Sequence, residues 1–249
     1  MIKPIVSKLA ALSFLFQLAA SVHTSAQQPP PTGRSVYLRL LAFDSESIPP
    51  ESFAFEAVAP KPVAGVPAPI KSYLNHEFLS LRINGDDLVF SKSPKPEDKG
   101  KADSLIAKVS LPKTSDHFLL VFLPGADHTF RILPLDDSTK EFPLGSYRII
   151  SLSRFPVKMT LEDKAYDFKP GQSIVIANPP VQANNHSAMN AYREIDGKWQ
   201  QIRSGLWPAP GKKRSVQIFY DVPGSQETEL RAFRDVSPPS NNPVATVSP

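Results

Sequence analysis

Along most of this chain apolar residues recur at every second position in short runs, and turn-forming residues interrupt them about every eight to twelve residues. Ser35 to Phe43 places Val36, Leu38 and Leu40 on one face and Tyr37, Arg39 and Leu41 on the other. Val157, Met159 and Leu161 alternate with Lys158, Thr160 and Glu162, which is the pattern of a half-buried strand. Phe118 to Leu123 is apolar at every position, as expected of a strand in the middle of a packed sheet.

The same reading extends to the rest of the chain. Residues 44 to 70 carry Pro49, Pro50, Pro60, Pro62, Pro67 and Pro69, which forbid a helix of any length and leave room for one short strand near Phe53 to Val58. Glu77 to Ile83 and Asp86 to Phe90 flank Asn84-Gly85, a pair that predicts a hairpin. Further strands are predicted at Leu105 to Leu111, Thr129 to Leu135, Ser146 to Leu152, Ala165 to Phe168 and Ser173 to Ala177. Lys169-Pro170-Gly171-Gln172 reads as a type II turn. Ala188 to Ile195 and Lys198 to Arg203 straddle Asp196-Gly197, a second hairpin signal, and Ser215 to Tyr220 and Glu229 to Arg234 complete the set. About fourteen short strands and no helix make the chain all-β. Seven strands precede Asp136 and about seven follow Glu141. The expected architecture is two tandem immunoglobulin-like antiparallel β-sandwich domains, residues 35–136 and 142–236, joined through the linker-like Asp136 to Glu141.

The two ends differ from this body. Lys3 and Lys8 precede the apolar run Leu9 to Ala20, and Thr24-Ser25-Ala26 supplies a small-residue cleavage site, so residues 1–26 read as a signal peptide. Residues 27–34, QQPPPTGR, form a Pro-rich lead, and residues 237–249 are expected to be a disordered Pro/Ser/Asn-rich tail. An exported protein of the periplasm or extracellular space follows, with no transmembrane segment after cleavage. The formal charge of +4 falls by two once Lys3 and Lys8 are removed, and the remaining charges are mixed along the chain, which argues against a nucleic-acid partner. The absence of cysteine removes disulfides, thiolate metal sites, Cys nucleophiles and a lipid-modified leader together.

The run FPLGSYRIISLSRFPVKMTLEDKAYDFKPGQSIVI, residues 142 to 176, resembles a pattern of exported bacterial β-sandwich modules: a Gly-x-Tyr strand, a short Pro-Val strand, then a Pro-Gly turn. RILPLDDS at 131 to 138 and Asp196-Gly197-Lys198-Trp199 are likewise similar to an uncharacterised family of exported bacterial proteins. The resemblance implies a sandwich and export, and it carries over no catalytic residue.

Reactive chemistry is sparse. Gly-x-Ser-x-Gly is absent, and Gly171-Gln172-Ser173 runs on into Ile174 and Val175, so Ser173 starts a strand. The eleven glycines lie singly in turns, with no phosphate-cradling loop among them. His76, His117, His128 and His186 stand near Glu77, Asp116 and Asp127, but no two histidines sit at ligand spacing on one element. His117 and His128, with Asp116 and Asp127, would face each other only across a long-turned hairpin, and ordinary strand-end polar residues explain them. Asp86-Asp87 and Asp136-Asp137 read as turn residues, and Lys212-Lys213-Arg214 as a solvated strand edge. No metal and no cofactor are expected. Aromatic and basic residues are the candidate binding set: Trp207, placed in a loop from Leu206 to Arg214, with Tyr192, Tyr220 and Arg203; Trp199 is assigned to the core. The expected function is non-enzymatic binding or scaffolding, with a protein or polysaccharide of the cell envelope as partner. The alternatives are a carbohydrate-binding module using those aromatics, and a hydrolase assembled from dispersed acidic and His residues.

Overall fold

In the computed structural model the described residues are 33–56, 63–125 and 129–235. The signal peptide, most of the Pro-rich lead, the C-terminal tail, Asp127 and His128 lie outside them. The first half contains β1 (Arg34–Ala42), β2 (Phe53–Ala54), β3 (Val66–Pro67), β4 (Leu79–Ile83), β5 (Asp87–Ser91), β6 (Leu105–Ser110), β7 (His117–Pro124) and β8 (Phe130–Asp136). The second contains β9 (Tyr147–Ser151), β10 (Val157–Leu161), β11 (Lys164–Phe168), β12 (Ser173–Ile176), β13 (His186–Ile195), β14 (Lys198–Pro208), β15 (Ser215–Asp221) and β16 (Thr228–Arg234). Two single 3₁₀ turns, and no α-helix, accompany them among the described residues. The chain is all-β, with four sheets in two sandwich-like halves.

The halves repeat each other strand for strand. The first has sheets ordered β4-β1-β7-β8 and β3-β2-β5-β6, and the second β12-β9-β15-β16 and β11-β10-β13-β14. In each, the first strand runs parallel to the seventh: Leu38 pairs with Phe118, and Tyr147 with Ser215. The remaining pairings between strands are antiparallel.

Strand alternation explains the layering. On β1, Val36, Leu38 and Leu40 point into the core between the first two sheets, while Leu41 enters a different core. On β7, Phe118, Leu120 and Phe122 join the first core, and Leu119, Val121 and Leu123 join that second one. The second core also takes Phe142, Ile150, Val216, Ile218 and Phe233, so the sheets containing β7 and β15 pack against each other. Phe118 to Leu123 is apolar throughout because its sheet is covered on both faces. A third core, with Tyr147, Ile149, Val157, Met159, Phe168, Met189 and Phe219, fills the second sandwich.

Two turn expectations hold in detail. Asp196 and Gly197 both take positive φ and close the β13–β14 hairpin, Ile195 pairing with Lys198. Gly171 has φ +78, and Gln172 N donates to Lys169 O at 3.0 Å, a type II turn. The Asn84-Gly85 expectation is overturned. Only Gly85 takes positive φ, and the flanking strands belong to different sheets, β4 on β1 and β5 on β2 and β6. The turn carries the chain across the sandwich instead of folding it back on itself.

The region read as a linker also differs from expectation. Asp137 is buried, as are Asp235, Arg39 and Arg214. Arg39 donates from Nε to Asp137 Oδ2 at 2.7 Å and from Nη2 to Oδ1 at 2.6 Å. Its Nη1 reaches Asp235 Oδ1 at 2.6 Å and Asn75 O at 3.0 Å. Arg214 binds Asp235 Oδ2 through Nε at 3.0 Å and Asp137 O through Nη1 at 3.0 Å. Burial works against the Arg39 charge, but the two carboxylates outweigh it and push its pKa above the ordinary value. Asp137 and Asp235 each directly follow the last strand of their half, with backbone N–H groups bonded to His117 O and Arg214 O. They are equivalent positions of the repeat, brought together where the halves meet. Arg214 is therefore no solvated edge residue, and Asp137 is more than a turn former.

Candidate functional site

β14 and β16 are the last strands of the two facing sheets in the second half. A cavity of about 230 Å³ opens between them. In the first half the equivalent strands, β6 and β8, approach each other more closely, and Ile106, Ala107 and Val109 of β6 are buried. The opening is thus not a requirement of the repeated fold.

Register places its side chains. Arg203, Gly205 and Trp207 pair with Ala191, Met189 and Ser187, all buried inward-facing residues, so the three share the inner face of β14. A bulge sets that register: Ala191 pairs with Arg203 and Tyr192 with Gln201, leaving Ile202 unpaired. A Cβ added at Gly205 would meet nothing within 4 Å, so the missing side chain between Arg203 and Trp207 contributes open space. Across the gap, Leu230, Ala232 and Arg234 of β16 and Gln217 of β15 line the opposite wall.

The polar groups are unevenly satisfied. Gln217 is 6% exposed; its Nε2 donates to Ser215 Oγ at 3.0 Å, and its Oε1 has no partner. Arg234 Nη2 donates to Pro210 O at 3.4 Å, and neither Arg203 nor Arg234 is ion-paired among the described residues. No carboxylate lines the cavity. Tyr147 closes its floor, with its ring 5.1 Å from Trp207 and its hydroxyl donating to Pro208 O at 2.6 Å. Burial pushes the Tyr147 phenol up to about 12. Because the folded state holds this proton more tightly, the contribution is complete below the ordinary value of 10.0 and is lost as pH rises toward 12. The urea midpoint should therefore fall more between about pH 9 and about pH 11 in the wild type than in Tyr147→Phe.

Of the four residues singled out by sequence, Arg203 and Trp207 share this cavity. Trp207 is on a strand, not in a loop, and half-buried. Tyr220 lies in a crevice where the halves meet, against Phe43 and below Arg231. That crevice is electrostatically matched: Tyr220 donates to Glu229 Oε2 at 2.6 Å, Arg231 stands 4.0 Å from Asp44, and Asp221 accepts from Ser153, Thr228 and the Arg154 N–H. Tyr192 lines neither space. Trp199, expected in the core, is 41% exposed with Lys158 Nζ 4.4 Å from its ring. His117 pairs with Asp116 at 2.7 Å and stacks on Tyr37. It starts β7, roughly 26 Å of strand away from Gly125, so the hairpin does not bring His117 toward Gly125. No group of three or more potential metal ligands occurs among the described residues. Among them, too, no helix is long and apolar enough to cross a membrane.

Gln217, Arg234, Gly205 and Tyr147 were not found by sequence reasoning. The alternation Leu230-Ala232-Arg234 was visible, but which strand it faces was not. No protein-family model matches the chain, and no curated protein matches it. Among solved structures it is similar to a "putative cell adhesion protein" from Bacteroides fragilis, with 8% identity over 77% of this chain and 85% of that chain, at a TM-score of 0.20. What stands of the expected resemblance is this weak structural match to a bacterial protein, and at that score it carries no argument about function.

Proposed function

We propose that the protein is exported and acts by binding rather than by catalysis, its ligand entering the cavity between β14 and β16. The observation that carries this is the cavity itself, a space of about 230 Å³ walled by Trp207 and by two guanidinium groups free of ion pairs, with the Gln217 side chain in its lining. The lining offers donors, acceptors and ring faces, and it holds neither a carboxylate nor a histidine to move a proton. Export is supported by the Lys3/Lys8 leader and the small-residue site ending at Ala26. The scaffold suits binding: two sandwiches share a core and a buried ion cluster, so the cavity walls are held on rigid strands.

Trp199→Phe leaves Trp207 as the sole tryptophan, a reporter set in the cavity wall. Titrating this variant with neutral sugars, acidic sugars, short peptides and nucleotides should give a saturable change in emission with one class. Gly205→Leu, which fills open space on a strand residue of ordinary φ, should abolish the change while keeping the unfolding midpoint. No response from any class, or a response that survives Gly205→Leu, contradicts the proposal.

A further inference from the structure

We infer that the ligand is an extended polypeptide segment of another protein, which adds to β14 as a further strand and directs an acidic side chain into the cavity; this rests on the cavity being the binding site. β14 is the edge of its sheet, and Arg203 to Leu206 are exposed, Leu206 by 64%. Bonds on either side of β13 set the phase of the ladder. Glu162 N donates to Ala188 O at 2.8 Å and Glu194 N to Pro156 O at 3.0 Å, so even-numbered residues of β13 turn toward β10. Odd-numbered ones turn toward β14, in phase with the bond from Ala209 N to Asn185 O at 2.7 Å. Arg203, Gly205 and Trp207 therefore bond to β13, while the N–H and C=O groups of Ser204 and Leu206 point out of the sheet. Such an edge is a template for another strand. The bulge at Ile202 ends the free stretch on one side, and Pro208, with no N–H, ends it on the other.

Side chains then select the partner. A residue set opposite Gly205 shares the inner face, with Arg203 and Trp207 as diagonal neighbours and Arg234 across the opening. Gly205 leaves the space in front of it open for that residue's side chain. A carboxylate there meets two guanidiniums in a lining that holds no carboxylate of its own, and a cation is repelled. Edge-to-edge pairing of two copies would instead gather Arg203 and Arg234 of both chains. Residues 236–249 contain neither Asp nor Glu, so this chain's own tail does not match the charge either.

Titration calorimetry of the mature chain at low salt tests this, with the end-blocked peptide Ser-Thr-Val-Glu-Val-Thr-Ser as titrant. Glu should lie opposite Gly205, with the two valines beside Ser204 and Leu206. Changing its Glu to Gln should weaken binding about 10-fold, the ratio between a charge-assisted and a neutral hydrogen bond. The double variant Arg203→Gln/Arg234→Gln should bring the Glu peptide down to the level of the Gln peptide. Methylating the amide nitrogens of both valines removes the donors of an antiparallel added strand, and methylating that of Glu removes the donor of a parallel one. One of these two peptides should bind at least about 10-fold more weakly than the parent, and which one assigns the direction of the strand. If both methylated peptides bind like the parent, or the Gln peptide binds as tightly as the Glu peptide, the inference is overturned. A dimer of the chain alone in light scattering that Leu206→Pro disperses assigns the edge to a second copy and also overturns it. If the peptide does not bind while another class shifts Trp207 emission in a manner blocked by Gly205→Leu, the strand inference falls and the binding reading stands. If nothing binds, both fall.

Discussion

Replacing Arg39 with alanine is expected to lower folding stability by about 3–5 kcal/mol, the cost of leaving buried charge uncompensated. Arg39 is 1% exposed and holds Asp137 in a two-bond fork while its third nitrogen binds Asp235. Without it, two buried carboxylates share only Arg214, and Asn75 O loses its donor. Arg39→Lys should recover part of the loss, because an ammonium keeps the charge but cannot form the fork. Adding Asp137→Ala to Arg39→Ala should cost far less than the two single changes summed, since the second removes a charge the first has stranded. Urea unfolding of the wild type, the three single variants and the double variant at neutral pH reads these values. A loss below about 1 kcal/mol in Arg39→Ala would mean that the cluster is solvated and does not hold the halves together.

Phe142→Ala should be about as damaging, at about 3–5 kcal/mol. Phe142 is fully buried in the core where the halves meet, so its removal leaves a cavity between packed sheets. The guanidiniums of Arg148 and Arg214 also stand 4.7 Å and 5.1 Å from its ring. Arg148 has little else: Nη2 reaches Glu141 O at 3.2 Å, Nε has no partner, and burial holds its pKa below the ordinary value. Phe142→Leu retains most of the volume and loses the ring, so it should fall between wild type and alanine. The same urea series measures both, and equal losses for leucine and alanine would assign the whole effect to the ring.

These two residues also mark where reading the sequence stopped. Local periodicity was enough for the strands: the alternation in β10 and the unbroken apolar run of β7 each correspond to a burial pattern seen in the fold, whereas on β1 both faces are buried from Leu38 to Ala42. Turn chemistry was enough where both flanking strands belong to one sheet, as at Asp196-Gly197. It failed at Asn84-Gly85, because a turn looks alike locally whether the next strand returns beside its neighbour or crosses to the facing sheet. The ion cluster was invisible for a different reason. Arg39 lies 98 positions from Asp137 and 196 from Asp235, and only the pairing of two repeated halves brings them together. Arg214 ends a run of three basic residues and so read as solvated, although the strand it precedes is buried between the halves. In the cavity, Arg203 and Trp207 lie four positions apart on one strand and were both singled out. Their partners Gln217 and Arg234 come from two other strands, and no local signal links them.

The measurement that bears most directly on the binding account is a backbone amide map of the mature chain by NMR, recorded with and without the compound that shifts Trp207 emission. The account predicts saturable shifts concentrated at residues 203–208, 215–217 and 230–234, and their loss in Gly205→Leu. Shifts centred on the Tyr220 crevice or spread over the exposed face of Trp199, with the β14–β16 cavity unmoved, would contradict it.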